Sequence, residues 1–159
     1  MISFDVDGVF FMYRVAGICI RNDRVLLCRE PNLPFWYLPG GRVHTSESSP
    51  DALRREFLDE VGAAPTVGRL WFVVDNIFNQ DNRTIQEVGL YFEVTLPEDS
   101  APVTWSEPNQ RTDSSDGLVH EFAWFPIADI PSMDVRPSFL KEHLSNLPEH
   151  TLHLVEQRG

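Results

Sequence analysis

The sequence predicts an α/β sandwich, a mixed β-sheet with helices on its faces, and three observations carry that expectation. Strand-like stretches are interspersed with helical ones rather than segregated from them. Tight Asn/Asp turns join some of the strands, so part of the sheet is hairpin-connected. A chain of 159 residues with 42% hydrophobic and 23% charged side chains suits one domain, residues 1–159, with a core of its own.

The elements follow in order. Residues 1–9 are an N-terminal extension, with a turn at Asp7-Gly8. Residues 10–20 (FFMYRVAGICI) and 25–28 read as two strands around the turn Asn22-Asp23, a hairpin. Pro31 and Pro34 break the pattern, and Trp36-Tyr37-Leu38 forms a short strand running into Pro39-Gly40-Gly41. The polar stretch 42–49 is a loop. Ser49-Pro50-Asp51 then supplies an N-cap, a proline at the first helical position and an acid in the first turn. That helix runs to about Val61 on the apolar stripe Ala52, Leu53, Phe57 and Val61, and Gly62 closes it. Residues 66–78 and 84–96 read as two long strands joined by Asn79-Gln80-Asp81-Asn82. The Pro-, Ser- and Asp-rich stretch 97–117 has no periodicity and reads as a long mobile loop. Residues 119–126 are another strand. Phe139, Leu140, His143, Leu144 and Leu147 sit at helical spacing and predict a second helix over 136–147, and 151–155 adds an edge strand.

Composition narrows the function. A net charge of −11 argues against binding nucleic-acid duplexes through their backbones, which takes clustered Lys and Arg. Phosphate chemistry in so acidic a chain needs bound metal or locally placed arginines. Cys19 and Cys28 lie inside apolar runs and read as buried free thiols. No basic stretch precedes an apolar one at the N-terminus, and no segment has the apolar length of a membrane span. The expectation is a cytoplasmic protein without a membrane partner; a homodimer through the N-terminal segment stays open.

The most informative feature is a helix that places like charges together at its unfavourable end. Glu56, Asp59 and Glu60 lie three and four residues apart, hence on one face, just before Gly62. They repel one another there, and the helix dipole is already negative. A sequence that accepts both penalties has a cation to put there, and Mg²⁺ prefers a few carboxylates plus phosphate oxygens.

The stretch GRVHTSESSPDALRREFLDEVGA, from Gly41 through Ala63, resembles the Nudix box, G-x5-E-x7-R-E-U-x-E-E-x-G-U with U bulky and apolar. Gly41, Glu47, Arg55, Glu56, Glu60 and Gly62 match in register; Asp59 stands where the family usually has Glu, and Ala63 is small for the final U. The resemblance implies the family's α/β/α sandwich and Mg²⁺-dependent hydrolysis, with Mn²⁺ an alternative ion. The substrate class implied is a nucleoside diphosphate derivative or a nucleoside triphosphate, a small molecule cleaved at a diphosphate linkage. It also implies metal ligands at the Gly41 carbonyl, Glu56, Asp59 and Glu60, with catalysis by Glu56, Arg55 and Glu60. Glu56 is the first candidate for the base, and Arg55 orients carboxylates, Glu47 among them, through a bidentate fork.

Outside the box, Glu121 begins Glu-Phe-Ala-Trp, similar to a Glu-x-x-Trp segment of many Nudix proteins, and is taken as a further ligand. Glu87 is a second such candidate. Arg14 and Arg29 are expected to meet phosphate oxygens, Gly40 to sit against the substrate, and Trp36, Tyr37 and Phe78 to stack on a flat group. Asn76 offers an amide to a base edge. Three alternatives stay open: an isomerase of isopentenyl-diphosphate type, a Nudix-fold nucleotide sensor that does not hydrolyse, and a haloacid-dehalogenase-type phosphatase built on Asp5-Val6-Asp7-Gly8. The third needs a βα unit after Val9, where the sequence instead runs into the hairpin.

Overall fold

One long strand organises the molecule. In the computed structural model, which describes residues 1–157, the strands are β1 (Ser3–Val6), β2 (Val9–Arg21), β3 (Arg24–Arg29), β4 (Gly40–Arg42), β5 (Thr66–Gln80), β6 (Arg83–Thr95), β7 (Asn109–Thr112), β8 (Val119–Pro126) and β9 (Leu152–Gln157). The helices are α1 (Ser49–Glu60) and a single turn, α2 (Leu140–His143). On one edge β2 pairs in parallel with β6 from Val9 to Cys19. Along its other edge it meets three partners in turn: β1 near its start, β4 at Arg14–Ala16, and β3 at Ile20 and Arg21. The sheet order is β7-β8-β3-β2-β6-β5-β9, with β1 and β4 on β2. It is a mixed sheet, as expected.

The period-2 alternation of β2 feeds two cores. Val15 and Cys19 face α1 and join Leu53, Phe57, Val61, Phe92 and Phe122. Ala16 and Ile18 face the other way, toward Trp36, Phe72, Tyr91 and the segment carrying Ile130, Val135, Phe139, Leu140 and Leu144. Burying a side chain the size of Phe57 contributes about 3 kcal/mol. The hairpin turns form where Asn/Asp pairs accept positive φ: Asn22 and Asp23 at 52° and 60°, Asp81 and Asn82 at 53° and 61°. Asp7 and Gly8 make the same kind of turn, so the Asp-x-Asp-Gly segment is a β1–β2 connection and no βα unit follows it.

Several local expectations shift. The N-cap of α1 is Ser48, one residue early, its hydroxyl accepting from the Asp51 N–H at 3.3 Å. Trp36 and Tyr37 make isolated bridges to Val135 and Cys28 rather than a strand. The helix expected over 136–147 shrinks to the single turn α2, and Pro137 accounts for its lost start because it disfavours helical backbone at Arg136. Leu140 and Leu144 still bury at its apolar spacing. The stretch 97–117 is ordered by partners that the sequence alone does not show: it holds a 3₁₀ turn at Ala101–Thr104 and β7, and Pro102 O accepts from Trp124 Nε1 at 2.9 Å. Cys19 and Cys28 are free and buried.

Glycine at position 17 sets how closely α1 packs on the sheet, because a Cβ there would stand 2.6 Å from Phe57 Cε1. Gly17→Ala is expected to cost about 1–3 kcal/mol in urea unfolding, and adding Phe57→Leu is expected to recover part of that loss. A Gly17→Ala chain as stable as the parent would show that the helix does not bear on this strand.

Candidate active site

The end of α1 and the Gly40-Gly41 run form one wall of a cleft of about 320 Å³. Glu56, Glu60 and Asp113 meet in it, each offering an oxygen within 4.8 Å of the others. Glu60 is 5% exposed and Asp113 4%, so this is a buried concentration of negative charge. The Glu56 carboxylate lies against the Cα of Gly41, where a Cβ would overlap it. Arg55 holds the arrangement from outside. Its Nε and Nη2 donate to the two oxygens of Glu47 at 2.8 and 3.0 Å, its Nη1 donates to Glu56 Oε1 at 2.7 Å, and Nη2 also reaches Arg42 O at 3.0 Å.

Electrostatics follow from the packing. Burial pushes the Glu60 carboxyl well above the ordinary range, and Glu56 and Asp113 push it further while Arg14 opposes. Hydrogen bonds from Arg55 hold Glu47 down at about 2. Burial works against charge on Arg14, but Glu87, Tyr91 and Glu60 outweigh it and its guanidinium is raised above the usual value. Carboxylates crowded together with two of them buried are what a hard divalent cation relieves, so the donor set fits such an ion.

The family model described as NUDIX domain matches residues 12–146. The chain belongs to the Nudix family. Among curated relatives, mouse diphosphoinositol polyphosphate phosphohydrolase 3-alpha is 30% identical over 80% of this chain and 70% of that protein. A Bacillus subtilis protein provisionally named an 8-oxo-dGTP diphosphatase is 44% identical over 30% of this chain, a stretch covering 33% of that relative. Of solved structures, the MutT protein of Bacillus halodurans superposes with a TM-score of 0.64 at 17% identity, covering 89% of this chain and 86% of that one, which speaks to the fold. Membership makes the chain a hydrolase acting on phosphoric anhydrides. Nudix hydrolases generally use a divalent metal, and the buried acidic cluster is compatible with one.

Within this Nudix chain the expected residues fall into three groups. Glu56 and Glu60 come together in the cleft, with Gly40, Gly41 and Arg14 on its lining. Asp59 does not join them: it accepts from Ser114 Oγ at 3.1 Å, and its carbonyl accepts from Ser114 N. Asp113 occupies the third corner instead, and sequence reasoning missed it inside the stretch taken for a mobile loop. Its Oδ1 accepts from the Ser115 N–H and hydroxyl at 2.7 and 2.6 Å, an Asx turn for which Asp-Ser-Ser-Asp-Gly was the available signal.

Glu121 and Arg29 form a different group. They pair across β8 and β3 with 3.4 Å contacts, and Arg29 stacks 4.4 Å over Trp36, which packs edge-on against Phe125. Alternation explains the mismatch: Glu121 shares parity with Ala123 of the core away from α1, whereas His120 shares the α1 side with Phe122 and lines the cleft. Trp36 is accordingly 9% exposed and a core residue.

The third group lines a second cavity of about 540 Å³ on the opposite face of the sheet, where Phe78, Tyr37, Asn76 and Glu87 gather. Arg14 and Tyr37 border both spaces. Arg14 Nη2 donates to Leu38 O at 3.1 Å, and its guanidinium stands 5.9 Å from the Tyr37 ring.

The Glu47–Arg55 fork makes a pH prediction. A carboxyl held near 2 against an ordinary 4.5 stabilises the fold fully above pH 4.5, and that contribution is lost as pH falls toward 2. Glu47→Gln is expected to lower unfolding free energy at pH 7 by about 1–2 kcal/mol, with the gap closing between pH 4.5 and 2. A gap independent of pH in denaturant titrations would remove the charge from the account.

Proposed function

We propose that this Nudix chain hydrolyses a diphosphate linkage in a nucleoside diphosphate derivative or a nucleoside triphosphate, in one domain, with Mg²⁺ as the ion and Mn²⁺ able to replace it. The observation that supports this reading is the adjacency of two unlike spaces, a carboxylate cleft and an aromatic cavity, with Arg14 and Tyr37 on the border of both. A phosphate chain lies in the first and an organic group in the second.

Glu56, Glu60 and Asp113 would hold the cation, with the Gly41 backbone beside them. When bound, such an ion neutralises phosphate charge and lowers the pKa of a coordinated water. The chain's own groups do the rest. Water attacks phosphorus, and its proton passes to a carboxylate of the cleft, with Glu56 the first candidate for the base. The bridging P–O bond breaks and both products leave phosphorylated. Arg55 is a positioning residue: its fork keeps Glu47 and Glu56 from splaying. Arg14 and Arg42 bring positive charge to the lining of the acidic cleft.

The mouse relative's name raises a different ligand, a ring bearing many phosphates. The larger cavity argues against it here. Its lining cations are Arg14 and Arg136, and Arg136 is already forked onto Asp134, while Glu87 and Asp81 add negative charge. A sensor without hydrolysis is disfavoured because Glu56 and Glu60, which such modules typically lose, are both present.

Glu60→Gln is expected to cut Mg²⁺-dependent hydrolysis by about 10²- to 10⁴-fold while the metal-free fold is as stable as the parent or more so. The substrates to test are nucleotide sugars, dinucleoside polyphosphates, ADP-ribose and nucleoside triphosphates. Silence of the parent across that panel would replace the enzyme by the sensor. Asp113→Asn is expected to weaken Mn²⁺ binding, read by electron paramagnetic resonance, and Asp59→Asn to leave it near the parent's. The reverse order would return Asp59 to the ligand set.

A further inference from the structure

One half of a sheet face carries apolar side chains that belong to neither core. On β1, Phe4 stands opposite Phe11 of β2, their rings 5.2 Å apart. Phe11 is level with Gln86 of β6, which lies opposite Ile77 of β5. Two residues along β6, Val88 lies opposite Asp75, and Asp75 is level with Val155 of β9. Pleating puts all of these on one face, and Phe11 shares its parity with Val15, so it is the face on which α1 lies. The helix packs over the Val15–Cys19 half of β2, and the other half stays open. Phe4, Phe11, Ile77, Val88 and Val155 accordingly join neither core cluster. Val6, at the far end of β1, is 49% exposed, Phe4 51% and Val155 66%.

We propose that a second copy of the chain docks on this open face, sheet against sheet, to form a two-fold dimer. Charge selects the partner. Among the described residues, this half-face carries one ion pair, Asp75 with His153 at 2.7 Å, and no other charged side chain. In a chain of net charge −11 it is a place where two like copies meet without bringing unpaired carboxylates together. It also lacks the Lys and Arg that a nucleic acid or an anionic membrane surface needs. Area agrees. Five strands about 4.8 Å apart, each open over about five residues, give a footprint of roughly 24 by 17 Å. Two such footprints, with the relief of their side chains, approach the total of about 1,000 Å² that a specific interface needs. An interface of that size, held by apolar burial, gives a Kd on the order of micromolar. A two-fold axis along β6, the central strand of the five, brings Val88 near its own counterpart and lays β1 over β9. None of these apolar residues lines the cleft or the cavity, so the inference does not rest on the hydrolase reading.

The test is sedimentation equilibrium of the full chain, without substrate or metal, at concentrations that bracket the micromolar range. The parent is expected to pass from monomer to dimer, and added NaCl to favour the dimer, because salt screens the like net charge and leaves apolar contact intact. Val88→Asp and Val155→Glu are each expected to weaken the dimer by about tenfold or more, since each change enters both sides of an isologous interface. Val155 is largely exposed, so its replacement is expected to leave the monomer's circular dichroism and Tm as they are. Leu58→Asp, at an exposed apolar position of α1, is expected to leave the dimer unchanged. A parent that stays monomeric throughout, a dimer weakened by salt, a Val155→Glu chain that dimerises like the parent, or a dimer lost in Leu58→Asp as readily as in Val88→Asp would each overturn the assignment. Hydrolysis is not read, so failure here leaves the hydrolase reading standing, and a chain inactive on every nucleotide leaves this result interpretable.

Discussion

The burial of the Glu60 carboxylate is the constraint to which the rest of the structure answers. An acid in the last turn of α1, 5% exposed and beside Glu56 and Asp113, is unfavourable by solvation, by neighbouring charge and by helix dipole. Each surrounding feature either positions that acid or limits its cost. Gly41 has no side chain, and the space goes to Glu56. Arg55 ties Glu56 to Glu47 and to the Arg42 carbonyl, so hydrogen bonds link the helix to β4. Arg111 Nε donates to the Glu60 carbonyl at 3.2 Å and its guanidinium packs on Gly62, which caps the helix with φ of 81°. The two apolar cores carry the stability that lets the chain tolerate this.

The alternation of β2 sets the cleft and the cavity side by side, with Arg14 and Tyr37 on both linings. Residues of one parity, Val15 and Cys19, dock the helix that bears the acids. Residues of the other, Met12, Arg14 and Ala16, line the cavity. Arg14 borders both spaces because the Gly40-Gly41 segment leaves the strand edge thin: a Cβ on Gly40 would strike the Val15 backbone. In a chain of net charge −11, Arg14 is a local positive charge on the border of both spaces.

Asp59 shows how one short side chain redistributes roles. A Glu at this position would extend further from the helix; Asp59 instead meets Ser114 and anchors the segment that delivers Asp113. Asp113, not Asp59, is the third carboxylate of the cluster with Glu56 and Glu60. The same anchoring orders residues that the composition, rich in Pro, Ser and Asp, presents as a loop.

What the sequence determined by itself was local and periodic. The hairpins were legible because Asn22-Asp23 and Asp81-Asn82 accept positive φ, and α1 because Pro50, the Leu53–Phe57 spacing and Gly62 punctuate it. The carboxylates of Glu56 and Glu60, and the Arg55–Glu47 fork, were readable from helical spacing and box register. Tertiary structure alone decided that Asp113 rather than Asp59 completes the cluster, that Glu121 and Trp36 face the other core, and that Asn76 and Glu87 stand opposite each other. The physical reason is separation along the chain. Helical spacing, turn chemistry and caps act over a few residues, whereas strand register, and with it the face on which each side chain emerges, is settled only when distant segments pair.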